Sequence, residues 1–344
     1  MLVSILIPAY NKADWIEDTI RSALAQTWHQ KELIIIDDGS TDETLGIARR
    51  FESPQVKVVA QRNQGACDAR NNAYSLAQGA YIQWLDADDL LHPQKIEAQM
   101  KGIPDGLTTR CIRTAAFGSF YFRPAKAQVR PTGLWQHLSP SEWMITKFTQ
   151  RAWLNPTSWL VSRALTDAAG VWDPRLSASG ADDGEYICRM ITKVDRVEFI
   201  SNSMCYYRIG NLSSLNHNSE KALNSLLLAL TLCVQHLLSI DDSPRAKKAA
   251  LQLLQDWFQF FYSGPAELVD EIRTFAATFG GELVEPELNW KYVPIRHILG
   301  WQTANAVCKY LRSRRTLTER AVDEFLATSS TYWRNLKGAS DGLR

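Results

Sequence analysis

The chain has 344 residues, 45% hydrophobic and 22% charged, with a formal net charge of +1. This is the composition of a folded protein long enough for one large domain and a smaller one. The near-neutral balance argues against a nucleic-acid binder that works through bulk electrostatics.

The opening M-L-V-S-I-L-I-P lacks a basic n-region and a small-residue cleavage site, so it predicts a strand and not a signal peptide. Leu2 to Ile7 form that strand, closed by Pro8, which has no N–H to donate. A loop through Ala9, Tyr10 and Asn11 leads to a helix, with Asp14 as the expected N-cap and Glu17 in the capping-box position. Glu32 to Ile36 is a second strand, ending in Asp37-Asp38-Gly39-Ser40-Thr41-Asp42, and a helix follows from near Thr41 to Phe51. Val56 to Ala60 is a third strand, followed by Asn63-Gln64-Gly65 and a helix over Ala66 to Gln78. Tyr81 to Leu85 is the fourth strand. The alternation β-α-β-α-β-α-β with short connections predicts a parallel sheet, helices on both faces, and ligands at the carboxyl ends of the strands. Every polar cluster named above falls at such an end.

The fourth strand runs directly into Asp86, Asp88 and Asp89. Residues two apart on an extended chain point the same way, so Asp86 and Asp88 face one site, a hard-oxygen site for Mg²⁺ or Mn²⁺. The same letters also describe an acidic turn in which Asp89 caps the next helix. No G-x-G-x-x-G follows the first strand and no G-x-x-x-x-G-K-[ST] occurs, which excludes the usual dinucleotide and P-loop sites.

Farther on, Gly118 to Arg123 predicts an antiparallel strand, Trp135 to Gln150 a helix entered at Ser139-Pro140, and Asn155 to Val161 another strand. Gly170 to Asp173 lead through a Ser/Gly-rich loop to Asp182-Asp183-Gly184-Glu185 at a helix N-terminus, where the macrodipole stabilises carboxylates. Val197–Ile200 and Met204–Arg208 read as two strands, followed by a polar loop at Asn211 to Ser214. The chain then becomes helix-rich. Helices are expected over Leu223–Leu238, Ala246–Phe261, Ala266–Phe279, Ile298–Arg312 and Leu317–Leu326, with a linker around Gly280, Gly281 and Pro286. The apolar run from Leu223 to Ile240 is broken by Asn224, Gln235 and His236, so it predicts a buried or amphipathic helix before a membrane span. Six cysteines (Cys67, Cys111, Cys188, Cys205, Cys233, Cys308) without a C-x-x-C pair predict reduced thiols in a cytosolic protein.

Five segments, in order, resemble a family 2 inverting glycosyltransferase of the GT-A fold: Ser4–Asn11, Ile34–Asp42, Asn63–Asn71, Leu85–Asp89 and Ala181–Glu185. The resemblance implies an α/β/α sandwich with a mostly parallel central sheet over residues 1–218 and a helical region over 219–344. It also implies transfer of a sugar, with inversion, from a nucleotide-diphosphate donor to a glycan or lipid-linked acceptor, as in surface polysaccharide or glycolipid synthesis. Pro8, Ala9, Tyr10 and Asn11 would line the base pocket, and Asp38 would accept a hydrogen bond from the imide N–H of uracil or thymine. Asp37 would hold the loop. Asn63, Gly65 and Arg70 would close over the nucleotide, Asp86 with Ala87 would meet the ribose or the metal, and Asp88 would bind Mn²⁺ or Mg²⁺ directly. Asp183 would be the base, beside Asp182, with Glu185 a lesser alternative; the family usually has an aromatic residue where this chain has Gly184. Arg208, after Tyr207, would lie over the donor diphosphate.

Two other classes compete. A nucleotidyltransferase would carry a basic, glycine-rich loop after the first strand, which Pro8–Asn11 is not. A non-catalytic carbohydrate- or nucleotide-sugar-binding protein would not need Asp86, Asp88 and Asp183. The tail resembles nothing nameable. Trp257, Trp290, Trp301 and Trp333 with Arg312-Ser313-Arg314-Arg315 allow either a peripheral contact at the inner face of the membrane or ordinary helix packing. Association with other enzymes or a second copy is equally open.

Overall fold

The computed structural model describes residues 1–103, 110–210, 219–262 and 264–329. Four parallel strands lead: β1 (Val3–Ala9), β2 (Lys31–Asp37), β3 (Val56–Ala60) and β4 (Tyr81–Trp84), with β1 between β2 and β4. They are joined by α1 (Ile16–Leu24), α2 (Thr44–Arg49) and α3 (Ala66–Leu76). Then come β5 (Leu90–Leu91), α4 (Lys95–Met100), β6 (Cys111–Phe120), β7 (Gln128–Val129), α5 (Pro140–Thr149), β8 (Trp159–Ser162), α6 (Arg163–Ala169), α7 (Asp182–Ile191) and β9 (Arg196–Arg208). Helices α8 (Glu220–Leu238), α9 (Pro244–Phe261), α10 (Ala266–Ala277) and α11 (Val293–Ser329) follow. The sheet order is β3-β2-β1-β4-β8-β6-β9-β5, and β8 enters antiparallel to β4. The sheet is therefore parallel on one side and antiparallel on the other.

The near-continuous apolar runs of β1 and β2 follow from burial on both faces. Ile5, Ile7, Leu33 and Ile35 join Ile16 and Ile20 of α1 in one core, while Leu6, Ile34 and Ile36 join the core containing Trp84, Trp143, Tyr186 and helices α8 to α10. Gln83, the polar exception in β4, accepts a hydrogen bond from buried Lys95, whose ammonium burial pushes down to about 7.

The chain divides into two compact units: residues 1–117, 130–207 and 215–286, and residues 118–129, 208–214 and 287–344. The expected split after residue 218 does not follow these units, because α8, α9 and α10 share the first unit's core. Helix α8 is apolar and long enough to cross a membrane, yet most of it is buried in that core.

Several local expectations are corrected. Asp14 does not cap α1: Trp15 holds the N-cap position without a side-chain bond, and Glu17 is drawn to Arg21 and Arg50. Helix α2 starts at Thr44, whose N–H donates to Asp42. Asp89 caps nothing; it is buried and accepts from Thr157 at 2.8 Å. Strand β6 begins at Cys111, and the N–H groups of Phe122 and Arg123 bond Asp323 within the second unit in place of a strand partner. Helix α6 was not foreseen, although Ser162 caps it and Gly170 ends it at φ +80°. The two strands expected after residue 196 are one, since Ser203 is buried and bonds Lys95 O without breaking β9. The two last helices are also one, interrupted only at Gly300 (φ 79°), because no glycine or proline falls between Trp301 and Ser329.

Candidate active site

The carboxyl ends of β1, β2 and β3 are tied together by short polar side chains. Ala9, following Pro8, accepts from Asp38 N at 2.8 Å. Asn11 takes a left-handed conformation (φ 49°), a region asparagine tolerates, and its Oδ1 accepts from Thr41 N at 2.8 Å. Asp37 Oδ2 accepts from Ser40 N, while its buried Oδ1 has no hydrogen-bond partner. Asp38 is the better-anchored of the pair: Gln61 Nε2, Gln64 N and Gly65 N all donate to it at 2.7–2.9 Å. So both acids hold loops, including the one sequence reading assigned to base recognition, although a carboxylate with four lone-pair positions keeps one to offer a ligand. Gly39 (φ +72°) and Gly65 (φ +97°) are required here, since a Cβ on Gly39 would lie 2.8 Å from Asn63 N and one on Gly65 3.0 Å from Ser177 Cβ. Tyr10 is 46% exposed and Asn63 is exposed, so both are open to a ligand.

Arg70 is the hub. It projects from α3, and its two terminal nitrogens divide between Asp182 at 2.6 Å and Asp86 at 3.0 Å. Its guanidinium lies 4.4 Å from the Trp172 ring centroid, and Trp172 stacks on Tyr186 at 4.0 Å. Burial works against the Arg70 charge, but Asp182 and Asp86 override it and raise the pKa. The arginine therefore joins the end of β4 to the start of α7. A solvated surface role is ruled out by its burial.

Asp86 and Asp88 stand at the end of β4, as alternation requires. Burial raises the Asp86 pKa, Arg70 opposes the rise and Asp88 adds to it. Asp88 Oδ2 pairs with Lys12 Nζ at 2.7 Å. Lys12 was not singled out from sequence, although a lysine in the loop after β1 lies at the same edge as the acids that follow β4. Among the described residues no three His, Cys, Asp or Glu side chains converge as a metal cluster. Two partly exposed carboxylates of hard oxygen nevertheless suit a divalent cation that draws its other ligands from a diphosphate and water.

At the start of α7 the three acids take different environments. Asp182 is committed to Arg70. Glu185 is buried and chelated by Arg189 at 2.9 Å through both oxygens, with His236 Nε2 also 2.9 Å away. Burial would raise the Glu185 pKa, but His236 and Arg189 hold it below the usual range, so it is a structural ion pair and not a proton acceptor. Asp183 differs: burial first, and Asp182 second, push its pKa up to about 6. It borders a cavity that also reaches Lys147 and Trp257.

Because the Glu185 pKa is lower in the fold than in the unfolded chain, its contribution is present above the unfolded value and is lost as pH falls through the folded one. Glu185→Gln is accordingly expected to destabilise by about 2–4 kcal/mol at pH 7 and by much less near pH 3. Urea unfolding at the two pH values checks it. An equal loss at both would remove the ion-pair account.

Arg208 belongs to the second unit, where it donates to Tyr121 O at 2.8 Å and packs over Phe120. Asn211–Ser214 and His217 lie outside the described residues. Tyr207, in the first unit, has its pKa raised by burial and by Asp89, Asp86, Asp88 and Asp183 together, so one side chain senses all four acids. Of the tail tryptophans, Trp257 packs against the first unit's core, Trp290 (75% exposed) and Trp301 belong to the second unit, and Trp333 lies outside the described residues.

Residues 4–164 match the family model described as Glycosyl transferase family 2. Chondroitin synthase of Pasteurella multocida is 42% identical over 115 residues, which are 33% of this chain and 12% of that protein. The uncharacterised glycosyltransferase YibD of Escherichia coli K12 is 33% identical over 158 residues, 44% of this chain and 45% of that protein. The matches thus span less than half the length of these relatives. Among solved structures, TarS 1-349 of S. aureus in complex with UDP aligns with a TM-score of 0.61 over 96% of this chain and 93% of that one. At 17% identity that likeness is one of fold. The match runs from β1 to just past β8 on a GT-A sheet, so residues 4–164, a little under half of the chain, are similar to glycosyl transferase family 2.

Proposed function

We propose that the chain moves a sugar, with inversion, from a UDP-sugar to a hydroxyl of a glycan or lipid-linked acceptor, using Mn²⁺ or Mg²⁺. The observation that carries this reading is the Arg70 bridge, which ties the β4 carboxylates to α7 and leaves Asp183, with its raised pKa, beside a cavity. Tyr10 offers an open aromatic face for a base, and Asp38 retains an acceptor position for its imide N–H. Asp86 and Asp88 would hold the cation. When bound, the cation offsets the charge that grows on the departing diphosphate. Asp183 would take the acceptor proton at its carboxylate, and a pKa near 6 suits a base working around neutral pH. The solved neighbour's complex with UDP supports a uridine donor, and the similarity of this chain to a chondroitin synthase supports a polysaccharide product. Six free, buried cysteines fit the reducing cytoplasm, with the acceptor presented at the inner face of the membrane.

The test is thermal unfolding of the full chain with UDP, GDP and dTDP, each with and without Mn²⁺. UDP with Mn²⁺ is expected to raise the melting temperature by several degrees, since ligand at a hundred times its Kd adds about 2.7 kcal/mol. Asp88→Ala should abolish the Mn²⁺-dependent part. No shift with any nucleotide would sink this reading.

A further inference from the structure

A cavity of about 290 Å³ opens beside Asp183, within the first unit. Its volume sits at the lower end of the roughly 300–1,000 Å³ of small-molecule sites and suits a single sugar ring. Three features of its lining are unusual together. First, Trp153, Trp257 and Phe260 supply half-buried aromatic faces, the surface that packs against the C–H face of a pyranose. Trp153 is itself held edge-on by Tyr207 at 4.5 Å, and Trp257 packs on Phe260 at 5.4 Å.

Second, Lys147 lines the cavity without a salt bridge among the described residues, although its charge acts on Asp183 from a distance. Its ammonium makes no ion pair and no hydrogen bond among the described residues, only a contact 5.9 Å from the Trp143 ring centroid. The other cation of the lining, Arg151, is neutralised by Asp256 at 2.5 Å. Asp183 is not within ion-pair reach of Lys147, although it faces the same space. A half-buried ammonium left unpaired is available to an anion, and a charge-assisted hydrogen bond is stronger than a neutral one.

Third, Gly184 keeps the space open. It lies inside helix α7 with no positive φ, so the backbone does not call for glycine, and an added Cβ would meet nothing within 4 Å. Glycine destabilises a helix relative to alanine, and what this position gains in exchange is room next to Asp183.

We propose that this cavity is the acceptor subsite, and that it takes a sugar bearing an anionic substituent, carboxylate or phosphate, which seats on Lys147 in the space Gly184 leaves open. The proposal rests on the reading of Asp183 as the group that receives the acceptor proton. It places selectivity on helices α5 and α9, the second of which lies outside the segment matched by the family.

Calorimetric titration of the full chain with methyl β-glucuronide, glucose 6-phosphate and neutral methyl β-glucoside tests it. One of the two charged probes is expected to bind at least tenfold more tightly than the neutral one, and which of them does so separates a carboxylate from a phosphate. Lys147→Gln should erase that preference while leaving the neutral probe's affinity unchanged, and Lys147→Arg should keep it. Gly184→Leu should weaken all three probes, with melting temperature reporting that each variant is folded. Equal binding of charged and neutral probes, no binding of any, or a preference that survives Lys147→Gln overturns the proposal. The UDP melting shift is recorded on the same samples. Its absence alongside an intact Lys147-dependent preference faults the donor reading and not the subsite.

Discussion

Asp183→Asn is expected to lower the turnover number about 10²–10⁴-fold, the range a positioned general base contributes, with the UDP-dependent melting shift retained. The wild-type rate should fall on the acid side with an apparent pKa near 6, because the carboxylate must be ionised to accept a proton. The same shift has a stability consequence of opposite sign to that of Glu185. The fold binds the Asp183 proton more readily than the unfolded chain does, so ionising it destabilises the fold as pH rises from about 4 through about 6. Asn carries no charge to bury. The variant should therefore be more stable than wild type by about 1–3 kcal/mol at pH 8, with the difference vanishing below pH 4. A dead enzyme with unchanged stability would leave the base assignment and remove its electrostatic explanation. Retained turnover would remove both.

Arg70→Met carries the largest expected structural effect. Met fills much of the same volume but leaves Asp182 and Asp86 facing each other without the cation between them. Truncating one partner of a buried ion pair typically costs about 3–5 kcal/mol, because the other charge stays buried and unpaired. Urea unfolding at pH 7 should show a loss of that size. Arg70→Lys should recover less than half of it, since an ammonium is a single point charge and cannot fork to two carboxylates while also packing over Trp172. A loss under 1 kcal/mol for Arg70→Met would mean that the two acids are not held by this bridge.

The parallel half of the sheet was legible because each strand is a short apolar run that stops in a polar cluster. That pattern comes from one local cause, burial on both faces. The acids after β4 were legible for the same reason, since they sit where the run ends, and those at the start of α7 because they open a helix. Asp14 and Thr41 were misplaced because other side chains take the bonding groups: Glu17 pairs with Arg21 one turn on and with Arg50 in place of a capping box, and the Thr44 N–H goes to Asp42 two residues before it. Lys12 and Lys147 escaped notice because a lysine carries no local signature; their meaning comes from residues 76 positions away in one case and from helix α9 in the other. Helix α6 did have a signal, Ser162 at one end and Gly170 at the other, around a stretch of seven residues to which the sequence reading assigned no element.

The sharing of one core between the sheet and helices α8 to α10 has a consequence for modularity. Trp257 and Phe260 of α9 wall the space beside Asp183, and Leu226, Val234 and Phe258 belong to the same apolar cluster as Trp84 of β4. Residues that precede 218 and residues that follow it are thus one inheritable part. A chimera that grafts the matched segment onto a foreign tail, or a truncation that stops after β9, would arrive with half of its interior turned outward. In such a chain the donor half and the helices must change together, so the portable cassette for domain exchange extends to Pro286.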